Sequence, residues 1–117
     1  MTAITEKAHA GEFILSLGNG NVSIDNGTLA SGQNLPAGAV LQLSGGNWTE
    51  VLGGDEADAA GVLLSAVDAT DGALPCAVVV RQAEVSGPQL QWNDGSPAVD
   101  TDAASAALTA LGIVVRD

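Results

Sequence analysis

The sequence predicts a mainly β fold with a short C-terminal α-helix, a small single α+β domain carrying a flexible N-terminal arm. Three observations carry that prediction. Short apolar runs recur from Phe13 to Val85, separated by glycine-containing turns, which is the spacing of a domain built from short strands. An alanine-rich window, Asp102–Leu111, sits between Asp100 and Gly112 and has the stop and start residues of a helix. Met1–Gly11 is polar and aperiodic, as a chain end that lacks its own core tends to be. The organisation expected is an arm over residues 1–17 and a β domain over 18–117.

Taken in order, Phe13, Leu15 and Leu17 alternate and predict a half-buried strand over Glu12–Leu17. Because it adjoins the arm, this strand is equally expected to order only on a partner. Gly18-Asn19-Gly20-Asn21 reads as a turn, and Val22–Ile24 as a short strand. Asp25-Asn26-Gly27 reads as a hairpin turn, since Asn-Gly accepts the positive φ angles of type I′, with Thr28–Ala30 returning. Ser31–Gly38 is a loop. Ala39–Leu43 and Asn47–Leu52 are strands joined at Gly45-Gly46, completing a β-meander.

Gly53–Ala59 is an acidic loop. Gly61–Val67 is apolar on both faces and predicts a central strand or one between two layers. Asp68–Gly72 is a turn. Cys76–Arg81 is a second buried run, limited at one end by Pro75, which has no N–H to pair, and extended by Ala83–Val85. Ser86-Gly87-Pro88 turns the chain. Leu90 and Trp92 alternate with Gln89 and Gln91, giving one buried face, and Asn93–Pro97 is a further turn. Asp100, Thr101 or Asp102 supplies the N-cap oxygen. Ala104, Leu108 and Leu111 form one narrow apolar stripe, Gly112 suits the left-handed cap, and Ile113–Val115 returns as a terminal strand.

Phe13, Trp48 and Trp92 are the only aromatic residues among 117, so the core is aliphatic, each buried Val, Leu or Ile contributing roughly 1.5–3 kcal/mol. Fourteen acids against Lys7, Arg81 and Arg116 leave a net charge of −11. Three scattered bases cannot displace counterions from phosphates, which excludes nucleic acid as a partner, and anionic membrane by the same reasoning. No apolar run approaches the roughly 18 residues of a membrane span and no signal peptide is visible, so synthesis in a cytoplasm is expected.

Catalytic chemistry finds little support. His9 lies in the arm, where nothing holds a base rigidly, and Cys76 would need a neighbouring base. Acids fall in turns and caps, where Asp serves the backbone. Asp55, Glu56 and Asp58 are too few to hold calcium without distant ligands, and zinc ligands are lacking. No cofactor is expected. Trp48 and Trp92 sit in alternating apolar patterns and read as packing residues; sugar stacking, together with the acidic loop, defines the alternative of a small carbohydrate- or calcium-binding β module.

The blocks Ala60–Thr70, Ala77–Val85 and Thr101–Arg116, preceded by Ala30–Leu41, resemble the lambda-type head-decoration (capsid cement) proteins of tailed bacteriophages. The resemblance runs from about Thr28 to Arg116. It implies a β-clip-like domain and a structural virion protein, not an enzyme. It further implies a homotrimer on the outer capsid surface at local threefold sites, binding the major capsid protein and stabilising the expanded, DNA-filled head. Met1–Leu17 matches the family's capsid-binding arm, which marks Glu12, Phe13, Ile14, Leu15 and Leu17 as contacts. Trp48, Trp92, Leu108, Leu111, Ile113 and Val115 are then the residues of trimer or core packing.

Overall fold

The computed structural model describes residues 11–18, 22–95 and 97–116. Its strands are β1 (Ile14–Leu17), β2 (Ile24–Leu29), β3 (Asn34–Leu35), β4 (Val40–Ser44), β5 (Asn47–Glu50), β6 (Gly61–Leu63), β7 (Val67–Asp68), β8 (Leu74–Val79), β9 (Ala83–Ser86) and β10 (Ile113–Arg116). Among these residues one α-helix, α1 (Thr101–Ala110), lies between β9 and β10, and single 3-10 turns occupy Glu56–Asp58 and Gly87–Gln89. The fold is mainly β with one short C-terminal helix, as the sequence predicts.

The strands form a closed barrel in the order β2-β5-β4-β6-β8, a three-stranded sheet β1-β9-β10, and a two-stranded ribbon β3-β7. The arrangement is not the expected meander: β2 pairs antiparallel with β8 along its whole length and meets β5 in parallel only at Leu29↔Trp48. Adjacent residues on the central strands point to opposite cores. Leu41, Leu63 and Val78 enter the barrel interior with Leu29, Trp48 and Cys76. Val40, Val62 and Val79 face the other way, into a second core with Phe13, Val85, Leu108 and Ile113. These strands are buried on both faces, which is why their sequences read as continuous apolar runs.

Gly45 and Gly46 stand at φ 60° and 87°, turning β4 into β5 as expected of a type I′ hairpin. Asp25-Asn26-Gly27 does not turn. β2 runs straight through it, in register with β8 from Ile24↔Val79 to Leu29↔Leu74. Gly27 is needed for space: a Cβ there would stand 2.6 Å from Trp48 Nε1 and 2.8 Å from its Cδ1. Of the strand expected over Val22–Ile24, Val22 and Ser23 form a turn and Ile24 begins β2.

Three other expectations are corrected. Gly61–Val67 divides into β6 and β7 around an exposed Ala66, because β4 and β8 extend pairing to β6 only as far as Leu63. Ala83–Val85 does not prolong β8. Gln82, at φ 48°, redirects the chain and β9 joins the other sheet. Gln89–Trp92 forms no strand; Gly87–Gln89 is helical and Gln91 makes an isolated parallel bridge to Ala39. Pro75 sits inside β8 opposite Thr28, beyond the Val78 and Val79 rungs where β6 pairs.

The Asp100 side chain accepts from Ala103 N at 3.1 Å and caps α1. Ala104 and Leu108 are buried, but Leu111 is 48% exposed, not the third member of a core stripe. The helix stops at Ala110, Gly112 turns the chain at φ 93°, and Ile113 takes the buried position instead.

Gly27→Ala is expected to cost about 1–3 kcal/mol, because Trp48 must leave its seat. Gly72→Ala, at a position with open space around it, is expected to stay within about 0.5 kcal/mol. Denaturant unfolding of the two variants checks the contrast.

Candidate functional site

The sheet β1-β9-β10 gathers both ends of the described chain, and the sequence-predicted contact residues fall there. Gly11 N donates to Leu64 O at 2.9 Å, pinning the chain as it enters the body. Phe13 is 1% exposed and belongs to the second core. Its carbonyl accepts from Ser86 N at 2.8 Å. β1 then pairs with β9 through Ile14↔Val85, Ser16↔Glu84 and Leu17↔Ala83, with a bulge at Leu15.

The bulge overturns the expected common face of Phe13, Leu15 and Leu17. An extra residue in one strand breaks the alternation, so Phe13 turns inward while Leu15 (56% exposed) and Leu17 (39%) stay outside. Ile14 is partly buried against the core, and Glu12 is exposed. Residues 11–17, expected to belong to the arm, are therefore packed on the body. Residues 1–10, with His9 and Lys7, lie outside the described residues, as do Asn19–Asn21 of the expected turn.

A buried hydroxyl fixes the far end of β1. Gly18 N donates to Ser23 Oγ at 2.8 Å, and Ser23 Oγ donates to Gln82 O at 2.9 Å. Ser23 is fully buried, so this relay satisfies a donor and an acceptor that would otherwise be stranded. It also ties β1 to the turn where Gln82 takes its positive φ.

Glu84, on the middle strand, reaches both neighbours. One carboxylate oxygen accepts from Ser16 Oγ at 2.9 Å, and the other lies 2.8 Å from Arg116 Nε. Hydrogen bonding and the charge of Arg116, helped by Ser16, hold the Glu84 carboxyl below the usual glutamate range. Glu56 makes a similar joint elsewhere. Its carboxylate accepts from Asp100 N at 2.8 Å and from Gly54 N, bringing the acidic loop to the start of α1 and lowering its own pKa through those backbone donors. Arg81 is held by Asp25, at 3.0 Å, and by Val22 O.

The remaining predicted residues lie apart from this sheet edge or beneath it. Trp48 is 6% exposed inside the barrel and presents no free face for stacking a sugar. Trp92 is half-buried against the second core, with Leu108, Ile113 and Val115. Among the described residues no group of three or more His, Cys, Asp or Glu is placed to hold a metal ion, and no helix is long and apolar enough to cross a membrane. Cys76 is buried, which pushes its thiol pKa up and away from nucleophilic reactivity. Ser23, Gln82 and Glu84 were not singled out by sequence reasoning, and Glu56 was weighed only as a calcium ligand. Only the pairing register brings their partners within reach.

A family model described as bacteriophage lambda head decoration protein D matches residues 3–113. No curated protein matches the chain.

Ser23→Ala is expected to cost about 1–3 kcal/mol in denaturant unfolding, since it strands Gly18 N and Gln82 O. Acid should loosen both carboxylate joints. A glutamate with a lowered folded pKa stabilises fully above its unfolded value, about 4.3, and loses that contribution as pH falls through the folded value. Amide exchange, corrected for its intrinsic pH dependence, should therefore stay level from pH 8 to 5. Below about pH 4 it should quicken at the start of α1 and in β1.

Proposed function

The chain belongs to the bacteriophage lambda head decoration protein D family, and from that premise we propose that it binds as a homotrimer to the outer capsid surface. There it occupies local threefold sites, engages neighbouring copies of the major capsid protein and stabilises the expanded, DNA-filled head. The observation that carries this reading is the family match over residues 3–113, nearly the whole chain. Family membership already makes it a structural component of the phage head.

The physical chemistry agrees with the finer reading. A body this small and this poor in aromatics has limited stability of its own, and subunit contacts add to it. Leu43, Leu52, Leu74 and Leu111 are exposed apolar side chains available to such contacts. A net charge of −11 suits a surface facing solvent and opposes contact with packaged DNA. Residues 1–10 are the proposed capsid-gripping segment. Fully extended they span at most about 33–36 Å from Gly11. Pairing at a sheet edge through main-chain bonds tolerates a permissive sequence, and three such segments on one trimer add avidity.

Purified protein mixed with expanded, decoration-free capsids should show density at the local threefold positions by cryo-electron microscopy; bare threefold sites overturn the proposal. Deleting residues 1–10 should abolish capsid binding while leaving a folded trimer by sedimentation equilibrium, and unchanged binding refutes the role of that segment.

A further inference from the structure

Asn26-Gly27 has the residues of a turn but lies in the middle of β2, and that placement bears on its chemistry. An asparagine followed by glycine is especially prone to lose its amide, because glycine has no Cβ to shield its backbone nitrogen from the asparagine side chain. Any larger residue would lessen the hazard, but Trp48 forbids one: a Cβ on Gly27 would stand 2.6 Å from Trp48 Nε1. The seat that closes the barrel therefore keeps a reactive pair in the chain, with Asn26 exposed.

Strand pairing supplies the protection. Antiparallel rungs alternate between hydrogen-bonded and non-hydrogen-bonded pairs. Val80 N donates to Ser23 O at 2.9 Å, one rung before Ile24↔Val79. Counting by twos from that bonded pair, Asp25↔Val78, Gly27↔Cys76 and Leu29↔Leu74 are bonded pairs as well. The Gly27 N–H is thereby given to Cys76 O. Pro75, which has no N–H, falls opposite Thr28 on a rung that asks for none.

We propose that Asn26-Gly27 is a latent succinimide site, held unreactive by the closed barrel and released only when β2 opens from β8. In the opened strand Gly27 N gives its proton to hydroxide and bonds to Asn26 Cγ. The Cγ–Nδ2 bond breaks, and Nδ2 takes a proton from water and leaves as ammonia. One water then opens the cyclic imide. Cleavage between Cγ and the Gly27 nitrogen leaves an aspartate at position 26. Cleavage between the Asn26 carbonyl carbon and the same nitrogen leaves an isoaspartate, with Cβ now in the main chain. Overall one water is consumed and one ammonia released, with no change of oxidation state. The isoaspartate form of β2 is one main-chain atom longer between Ile24 and Leu29, so the rungs on either side of position 26 cannot all be kept. Gly27 then leaves its place against the indole, and a reversible opening has become permanent.

The full-length protein is incubated in mildly alkaline buffer with and without denaturing urea, and conversion at position 26 is followed by peptide mass mapping. Conversion in the folded chain should be at least about a hundredfold slower than in urea, since a strand paired along its whole length opens rarely. Val78 is fully buried in the barrel opposite Asp25. Val78→Ala should raise conversion at Asn26 and hydrogen exchange of the Gly27 N–H by one common factor, about ten- to a hundredfold. Urea below the unfolding transition should raise the two rates in parallel, which keeps the test in force if Val78→Ala does not fold. The isoaspartate chain is prepared in urea from an Asn19→Ser/Trp92→Phe background, which removes the second Asn-Gly pair and the second indole. On removal of urea it should fail to bury Trp48, read by indole emission. Asn26→Asp in the same background adds the charge without lengthening the main chain and should bury Trp48 normally. Equal conversion in folded and unfolded chains, or conversion that does not follow Gly27 exchange, overturns the gating. An isoaspartate chain that buries Trp48 as the parent does overturns the permanence.

Discussion

The seat of Trp48 on Gly27 is the contact on which the rest of the molecule depends. β2 and β5 meet at a single rung, Leu29↔Trp48, so backbone pairing alone barely closes the barrel there. The indole makes up the difference. It is the largest side chain in the barrel core and lies against Gly27, with its far edge close to Gly61. An interior otherwise filled by Leu, Val, Ala and Cys has few other ways to fill that width at the density of a folded core. With the barrel closed, Val40, Val62 and Val79 are presented outward on a rigid wall. The three-stranded sheet and α1 pack on that wall.

The parts legible in the sequence are those whose reason is local. Asp100 caps the helix through its own side chain, and Gly45-Gly46 turns a hairpin through its own φ angles. The apolar runs Gly61–Leu63 and Cys76–Val79 announce burial on both faces through composition alone. The parts that were not legible have distant causes. Asn26-Gly27 carries a turn signal, yet its glycine answers to Trp48, far along the chain. Phe13 and Leu15 alternate on paper, but a bulge against β9 separates their faces. Leu111 continues the helical stripe, but the helix ends one residue earlier and Ile113 fills the core.

The candidate site divides in the same way. Leu108 and Ile113 were visible as packing candidates, whereas Phe13, marked as a capsid contact, lies buried in the second core. The polar residues that join one element to another were not visible. Composition reads the acids as a solubilising surface, and much of the surface is that. Glu56, Glu84 and Asp25, however, each bind a donor far along the chain: Asp100 N, Arg116 and Arg81. An acid that serves a joint and an acid that serves solubility are identical in a sequence. Only the register, which sets Glu84 opposite Ser16 and two rungs from Arg116, tells them apart.

The two cores also draw on different parts of the chain. Barrel closure draws on Trp48, Leu29 and Leu41, whereas Phe13 shares its cluster with Leu108, Ile113 and Val85. The anchor of the N-terminal segment therefore packs with the helix and the terminal strand, and not within the barrel. Side chains that are in contact couple energetically, and those more than about 7–10 Å apart with no shared partners act nearly independently. The two clusters meet through β4, β6 and β8, where Val40 and Leu41, Val62 and Leu63, and Val79 and Val78 are chain neighbours facing opposite cores, so the wall they share couples Phe13 to the barrel.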